Sequence, residues 1–252
     1  MRIRDYVCAL ALLVSVCAVA TADISEEDIV GYWPLDDGAG DEAGDISGND
    51  HHGAITDGEW VAGQFGGGLA FNGTTTFMEV LHHEDFNLGA NFTLAGWSFT
   101  NGLPQQHIGL PRKEAEYVLH PTEGGAAFNL RIYIGQGGAW AAPVVSEASV
   151  FYGEWSHIAG TYDGETLRSW VNGEISGEGD LPGEAGATVA NLRWSNDCCG
   201  GRMYDGILDE LIIFNRALTE DEMQAVMNDG VEAALSVEPS GKLATRWGAL
   251  KR

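Results

Sequence analysis

The chain has 252 residues and a formal net charge of −24, with 37 acidic against 13 basic side chains. Such a charge repels other polyanions, which argues against nucleic acid, anionic polysaccharide and anionic membrane surfaces as unassisted partners. The composition includes 35 Gly but only 7 Pro, together with 8 Trp. Glycine-rich turns between short aromatic and β-branched runs indicate an all-β domain of ordinary size.

The first 22 residues predict a cleaved secretion signal. Arg2 and Arg4 give a basic start, residues 8–20 are apolar apart from Ser15, and residues 20–22 supply small side chains before a cut. The apolar run is too short to span a bilayer, although an uncleaved N-terminal anchor is the alternative. The signal predicts a secreted or extracellular protein, or a periplasmic one in a bacterium with two membranes, with no membrane insertion by the rest of the chain.

The remaining chain begins with strands separated by polar loops. Residues 29–35 are typical of a strand, and residues 36–53 form an acidic, glycine-rich loop. Residues 92–99 alternate and carry Trp97, which we expect to pack in the core. Residues 127–134 show the clearest pattern of a half-buried strand, because every second residue is apolar. Those apolar residues are Phe128, Leu130, Ile132 and Ile134.

Two hairpins are indicated in residues 154–173. Asp163-Gly164 and Asn172-Gly173 are turn dipeptides between apolar runs. His157 lies in the first of these runs and invites a catalytic or metal-binding interpretation. We interpret it instead as a buried residue held between layers by a hydrogen bond.

The cysteines leave one adjacent pair once the signal is removed. Neighbouring Cα atoms are about 3.8 Å apart, which is short of the usual disulfide range of roughly 4.4–6.8 Å. A bridge between Cys198 and Cys199 is therefore a strained ring. Export favours oxidation, so we predict this disulfide; two free thiols or an intermolecular bridge are the alternatives.

The most informative stretch is residues 204–222, which reads as a strand followed by a helix. Strict alternation divides the strand into two apolar faces and gives Asp209 to one face and Glu210 to the other. Thr219 and Glu222 form a capping box, and a glycine follows the helix at position 230. The first face comprises Leu208, Ile212 and Phe214, and the second comprises Ile207, Leu211 and Ile213.

Several motifs resemble the laminin G-like domains of the concanavalin A-like superfamily. They are Asp45-Ile-Ser-Gly-Asn49, Trp155-Ser-His-Ile-Ala159 with the following Tyr162-Asp-Gly164, Gly206-Ile-Leu-Asp-Glu210, and Phe214-Asn-Arg-Ala-Leu-Thr219. The resemblance implies an all-β, two-sheet antiparallel jelly-roll β-sandwich with one short C-terminal helix near residues 219–228. It places the domain in residues 23–232 and leaves residues 233–252 as a short basic extension.

The resemblance also implies a structural calcium ion. Related domains bring the Asp-x-Ser-Gly-Asn loop and the aspartate of the last strand together around such an ion. Here this means Asp45 and Asn49, with Asp50, facing Asp209. Calcium prefers hard oxygen ligands of this kind. The alternative is an acid satisfied by backbone N–H groups without a metal, and no His or Cys cluster in the sequence has zinc spacing.

No catalytic arrangement is evident, so we predict a binding module rather than an enzyme. The glucanases of this fold place alternating acids along one strand, and Asp209 and Glu210 are adjacent instead. A carbohydrate-binding lectin that recognises a polysaccharide or a glycoprotein glycan is expected; a protein-interaction, adhesion or structural module is the alternative. Exposed aromatic side chains would act as stacking platforms. The candidates beside glycine-rich loops are Trp140, Trp194 and Tyr204, with burial in the core as their other interpretation.

Overall fold

The computed structural model describes residues 24–102, 108–122, 126–141, 143–195 and 202–235. Strands dominate these residues, and two short α-helices follow the last strand. The strands are β1 Ile29–Trp33, β2 Glu42–Ala43, β3 Gly53–Thr56, β4 Glu59–Ala62, β5 Gly67–Asn72, β6 Phe77–Val80, β7 Phe92–Gly102, β8 Arg112–Lys113, β9 Tyr117–Pro121, β10 Ala127–Gln136, β11 Ala139–Trp140, β12 Val144–Phe151, β13 Trp155–Tyr162, β14 Thr166–Val171, β15 Glu174–Asp180, β16 Leu192–Trp194 and β17 Asp205–Phe214. The helices are α1 Glu220–Asp229 and α2 Val231–Ala234.

The strands form two antiparallel sheets. The first has the order β15-β14-β13-β7-β17-β5-β4, with β1 also paired to β17. The second has the order β11-β10-β9-β8-β16-β6-β3-β2, with β12 also paired to β10. The predicted two-sheet antiparallel jelly roll with a short C-terminal helix is confirmed.

The main core lies between the sheets and draws apolar side chains from both. Trp97, expected to pack in the core, is buried, and β10 buries every second residue as its alternation predicts. This burial is the main source of stability in a sandwich of two sheets. The first sheet contributes Phe71 and Leu94 among others, and the second contributes Leu119, Ile132 and Trp194.

A smaller core lies under the helices. It contains Trp170, Ile212 and Phe214 from the first sheet and Met223 and Val226 from α1. The predicted capping box is present, because Thr219 accepts a hydrogen bond from the N–H of Glu222 while the Glu222 side chain accepts one from the N–H of Thr219. Gly230 ends α1 with φ of 78°, as predicted.

The last strand, β17, departs from the strict alternation that the sequence predicts. Its pairing with β7 shifts register between Asp209 and Ile212, and Glu210 has a left-handed φ of 52°. This β-bulge moves Leu208 to the same core cluster as Leu211 and Ile213, whereas strict alternation placed it with Ile212. Asp209 and Glu210 therefore do not divide between two faces in the simple way that the sequence indicates.

The N-terminal and C-terminal ends of the described residues meet. Ile24 and Leu235, both buried, form an isolated parallel bridge, and the predicted domain boundary at residue 232 falls within α2. The predicted signal peptide and nearly all of the predicted basic extension lie outside the described residues. No helix in the described part of the chain is long and apolar enough to cross a membrane.

Candidate functional site

Asp45 is a buried acid whose two oxygens are fully used by hydrogen-bond donors. Oδ1 accepts from the backbone N–H groups of Tyr32 and Ser47, each at 2.9 Å. Oδ2 accepts from the hydroxyl of Ser47 and the backbone N–H of His51, also at 2.9 Å. An ionised carboxylate offers about four lone-pair positions, and four donors occupy them. Asp45 therefore fits the N–H-satisfied alternative and leaves no lone pair for calcium.

The other two predicted ligands in this loop are arranged differently. Asn49 donates from Nδ2 to the carbonyl oxygens of Ile29 and Val30, each at 3.0 Å, and so ties the loop to β1. Asp50 is exposed and has a left-handed φ of 58°. This loop is therefore a hydrogen-bonded brace on the first strand.

Asp209 is fully buried beside the turn that precedes β5. Its Oδ2 accepts from the N–H of Phe65 at 2.9 Å, and its Oδ1 accepts from the N–H of Glu210 at 2.8 Å. A Cβ atom on residue 63 would lie 2.5 Å from Oδ2, so a residue larger than glycine would clash with the carboxylate. Burial raises the pKa of Asp209 to about 7, although these N–H groups and that of Gln64 act in the opposite direction.

Glu210 forms a second acidic centre beside Asp209. Its Oε2 accepts a hydrogen bond of 2.5 Å from the hydroxyl of Tyr32. Burial raises the pKa of Glu210 to about 7; the bond from Tyr32 lowers it, and the charges of Asp209 and Asp36 raise it. Asp36, Asp209 and Glu210 thus place negative charge in one partly buried region.

The predicted calcium ligands Asp45, Asp50 and Asp209 do not form a cluster of side-chain carboxylates within the described residues. Among the described residues, one group of three His or acidic side chains has its donor atoms within 4.8 Å of one another, and it contains neither Asp45 nor Asp209. That group is His51, His83 and Asp85, which sequence spacing did not reveal because its members come from two loops. The available signal was a pair of His-His dipeptides at residues 51–52 and 82–83.

Two of the three predicted stacking platforms belong to the core. Trp194 is 1 % exposed and meets the ring of Trp33 edge-on at 4.9 Å between centroids. Tyr204 is 0 % exposed, and its hydroxyl hydrogen-bonds to those of Ser98 at 2.7 Å and Thr100 at 2.9 Å. A sugar cannot stack on a ring that solvent cannot reach. The structure therefore corrects this part of the prediction and gives both residues a packing role.

Trp140, the third candidate, is 38 % exposed at the end of the β10–β11 hairpin. Its ring meets that of Tyr133 edge-on at 6.4 Å, and the guanidinium of Arg112 lies 5.9 Å from its centre. The ring of His120 stacks on Tyr133 at 5.0 Å with an angle of 9° between the planes. We call Arg112, His120, Arg131, Tyr133 and Trp140 the Trp140 face.

The arginines on and beside the Trp140 face are partly engaged by acidic neighbours. Arg112 forms an ion pair with Glu114, and its strand neighbour Arg193 forms one with Glu79. Arg131 stands opposite His120 in the pairing of β10 with β9, and its buried Nε has no hydrogen-bond partner within the described residues. An exposed aromatic ring with a guanidinium beside it suits a ligand that carries hydroxyl or carbonyl oxygens.

Two further predictions concern His157 and the cysteine pair Cys198 and Cys199. His157 is buried as expected, and it lies against the ring of Trp97 at 5.4 Å. Its Nδ1 has no hydrogen-bond partner in the described part of the chain, contrary to expectation, and burial lowers its pKa to about 4. Cys198 and Cys199 lie outside the described residues, so their disulfide stays a prediction.

Comparison with solved structures shows what the fold is similar to. Domain 4 of AbnA, an extracellular arabinanase from Geobacillus stearothermophilus solved with arabinotriose, has a TM-score of 0.64 at 17% identity; the match covers 79% of this chain and 98% of that domain. The binding domain of Paraclostridial Mosquitocidal Protein 1 has a TM-score of 0.64 at 16% identity, covering 81% and 52%. The botulinum neurotoxin DC binding domain, solved with rat synaptotagmin II, has a TM-score of 0.59 at 10% identity with the same coverage. The match thus spans about half the length of the two toxin domains.

Sequence comparison gives the family. A search of curated proteins finds no match to the sequence. A family model described as concanavalin A-like lectin/glucanases superfamily, of the laminin G type, matches residues 72–224. This interval contains β6 to β17 and the first half of α1, which is more than half of the chain. The chain therefore belongs to the concanavalin A-like lectin/glucanases superfamily.

Proposed function

We propose that the protein is a secreted, non-catalytic binding module that takes a carbohydrate on the Trp140 face. The observation that carries this proposal is the exposed ring of Trp140, set edge-on to Tyr133 and beside Arg112. A sugar presents an apolar C–H surface that packs on an aromatic ring, and its hydroxyl groups need polar partners around that ring. The Trp140 face offers both within one surface.

The neighbouring residues support the same class of ligand. Stacking of His120 on Tyr133 fixes the tyrosine ring, which limits the entropy lost when a ligand binds. The guanidinium of Arg112, which lies beside the Trp140 ring, supplies N–H donors for sugar oxygens. We therefore expect a polysaccharide or a glycoprotein glycan. The AbnA domain, solved with arabinotriose, supports this class of ligand through a shared fold.

The acids with raised pKa support a binding role rather than catalysis. Asp209 is fully buried and held by backbone N–H groups, so a glycosidic bond cannot reach it. Glu210 is engaged by the hydroxyl of Tyr32. Glycoside hydrolysis needs two accessible carboxyl groups on opposite sides of the scissile bond, about 5–9.5 Å apart. These two adjacent residues do not offer that arrangement.

We propose a bound calcium ion separately, and fewer observations support it than support the carbohydrate site. Asp45 would have to release its four donors before it became a ligand. Asp209 is the proposed central carboxylate, and the charges of its acidic neighbours Asp36 and Glu210 are ones that a cation would offset. The role proposed for the ion is to stabilise the fold.

A protein ligand is the second candidate. Trp, Tyr and Arg are the residues enriched in the energetic centres of protein interfaces, and all three meet on the Trp140 face. The botulinum neurotoxin DC binding domain, about half of which matches this fold, was solved with rat synaptotagmin II as its partner. A protein-interaction or adhesion module would use the same surface.

The test is a glycan array and affinity electrophoresis in soluble polysaccharides, followed by titration of each retained glycan. Trp140→Ala and Tyr133→Ala should each weaken binding by about two- to tenfold, because one aromatic stacking contact contributes on the order of 0.5–1.5 kcal/mol. Phe151→Ala is the matched control, since this aromatic residue is 54 % exposed on the same sheet. Phe151 pairs with Ala127 and Trp140 pairs with Gly135, so the two lie roughly 26 Å apart along β10.

The controls separate the two candidates. Equal losses in Trp140→Ala and Phe151→Ala would refute a specific site. Retention of no glycan, together with capture of a defined protein that Trp140→Ala abolishes, would favour the protein-interaction function. Each variant should keep the circular dichroism spectrum and melting temperature of the parent protein, because Trp140 and Phe151 are exposed and Tyr133 is only half-buried.

A further inference from the structure

The loops before β3 and after β6 place three side chains with metal-binding donors together. β3 and β6 are antiparallel neighbours, and Gly53 at the start of β3 stands opposite Val80 at the end of β6. Residues just before Gly53 and residues just after Val80 therefore lie side by side. His51 comes from the first loop, whereas His83 and Asp85 come from the second.

In this group, one nitrogen of each imidazole ring lies close to the same carboxylate oxygen. Oδ2 of Asp85 lies 3.0 Å from Nε2 of His51 and 3.0 Å from Nδ1 of His83. The side chain of His51 is 8 % exposed, and its ring lies 4.7 Å from that of Phe86 and 4.8 Å from that of His83. The backbone N–H of His51 is held by Asp45 Oδ2 at 2.9 Å. Asp45 therefore positions the loop that carries His51.

Hydrogen bonding alone does not satisfy all of these contacts. Nδ1 of His83 accepts from the backbone N–H of Asp85 at 3.3 Å, as a cap of the short helical turn at Glu84–Phe86. This contact requires a lone pair on Nδ1, but the same atom faces the carboxylate oxygen of Asp85. A lone pair on Nδ1 repels the carboxylate oxygen of Asp85. A proton on Nδ1 would instead leave no acceptor for the backbone N–H of Asp85. A cation bound to both atoms would take the Nδ1 lone pair in place of the 3.3 Å cap and would remove the repulsion between Nδ1 and Oδ2.

We infer that His51, His83 and Asp85 bind a first-row transition-metal dication of the zinc class. Two imidazole nitrogens and one carboxylate oxygen form a ligand set that suits zinc, whereas calcium prefers oxygen ligands throughout. Bonds of about 2.0–2.1 Å place neighbouring ligand atoms about 2.9 Å apart in octahedral and about 3.4 Å apart in tetrahedral geometry. The observed separations of 3.0 Å lie between these limits.

The surroundings favour a dication and leave it accessible. Asp85 also lines an open cavity of about 320 Å³, and the acids Glu26 and Glu27 lie on the same cavity. Their charge lowers the free energy of a nearby cation. The side chains of His83 and Asp85 are 56 % and 47 % exposed. Three protein ligands with an accessible fourth position would let the ion also bind water or a donor atom of a ligand.

The test is calorimetric titration of untagged, metal-free protein with Zn²⁺ in the presence of excess Ca²⁺. We expect one Zn²⁺ per chain at this site, and His83→Gln and Asp85→Asn should each weaken it by at least the roughly 10–100-fold that loss of an outer-shell partner costs. Both positions are half exposed, so the variants should fold normally. Co²⁺ provides a second readout, because the intensity of its visible d–d bands reports coordination number and geometry and should fall in both variants.

His82→Gln is the matched control, because it removes the adjacent histidine, which is not among the three ligands. It should keep the Zn²⁺ affinity of the parent protein. Absence of Zn²⁺ binding would overturn the proposal, and so would binding that His83→Gln and Asp85→Asn leave unchanged. An equal loss in His82→Gln and His83→Gln would also overturn it, since affinity would then follow the number of histidines. No glycan takes part in the experiment, so its outcome is independent of the carbohydrate proposal.

Discussion

The hydroxyl of Tyr32 donates a hydrogen bond to Oε2 of Glu210 at 2.5 Å, which joins the first strand to the bulge of the last. Residues 32 and 210 are far apart in sequence, and β1 pairs with β17 directly beside them. Glu210 has a left-handed backbone that any side chain other than glycine adopts at a cost. The bulge therefore directs the side chain of Glu210 to Tyr32, while the side chain of Asp209 contacts the turn before β5.

The first prediction concerns the pH dependence of stability. The pKa values of Asp209 and Glu210 are both raised to about 7 in the folded protein, against 3.8 and 4.5 as ordinary values. The folded state therefore binds more protons than the unfolded state between about pH 4 and pH 7, and the contribution of these groups falls as pH rises through that range. Each group lowers the free energy of unfolding by on the order of 1.4 kcal/mol per pH unit where the difference is complete.

Glu210→Gln should flatten this slope by about half, because an amide oxygen still accepts the bond from Tyr32 but does not titrate. Urea unfolding at several values between pH 5 and pH 8 measures the effect. Glu147→Gln is the control, since Glu147 is exposed on β12. A parent protein whose stability is level over this range, or a Glu147→Gln variant that flattens the slope equally, would contradict the prediction.

The second prediction concerns calcium and Asp209. An ion that binds only the folded state stabilises it by about 2.7 kcal/mol at a hundredfold excess over its dissociation constant. Chelation of calcium-loaded protein should therefore lower the melting temperature by several degrees, and added calcium should restore it. Asp209→Asn should lose this response, whereas Asp45→Asn should keep it if the hydrogen-bonding role of Asp45 is its only one. A full response in Asp209→Asn would place the ion elsewhere.

Sequence patterns predicted the features that depend on local spacing. The capping box of Thr219 and Glu222, the turn at Asn172-Gly173 and the alternation of β10 each follow from contacts within a few residues. The bulge of β17 was not predictable in this way, because Glu210 adopts its conformation in contact with Tyr32, a distant residue. The group of His51, His83 and Asp85 was hidden for the same reason, since only the pairing of β3 with β6 brings it together.

The third prediction concerns the start of α1. Glu222 accepts hydrogen bonds from Arg216 at 2.8 and 2.9 Å and from the N–H of Thr219 at 2.8 Å. Burial alone would raise the pKa of Glu222, but these bonds lower it to about 2. A lowered pKa gives stability that is present above the ordinary value of 4.5 and is lost as pH falls through 2.

Glu222→Gln should therefore reduce the free energy of unfolding by roughly 2–3 kcal/mol at neutral pH, and the difference from the parent protein should shrink towards pH 2. Glu220→Gln is the matched control, because Glu220 lies in the same turn but is exposed. Urea unfolding at pH 7 and at about pH 3 would compare the three proteins. A deficit of constant size at both pH values would exclude the electrostatic explanation.

The fourth prediction concerns Cys198 and Cys199, which we expect to form a disulfide ring in the loop before β17. Intact-mass analysis of the secreted protein under denaturing, non-reducing conditions should find no alkylated thiol and no covalent dimer. After reduction, alkylation should add two groups per chain. Two alkylations without prior reduction would contradict the ring, and a dimer that reduction dissolves would indicate an intermolecular bridge.

The last prediction uses the contrast between Trp194 and Trp140. Trp194 is 1 % exposed against Trp33 in the main core, so Trp194→Ala leaves a cavity and should cost about 3–5 kcal/mol in free energy of unfolding. Trp140 is 38 % exposed, so Trp140→Ala should change stability by about 1 kcal/mol or less while it weakens ligand binding. Urea unfolding of both variants, together with titration of the retained ligand, separates the roles. A Trp140→Ala variant that unfolds as readily as Trp194→Ala would make Trp140 a structural residue, and the loss of ligand would then follow from loss of the fold.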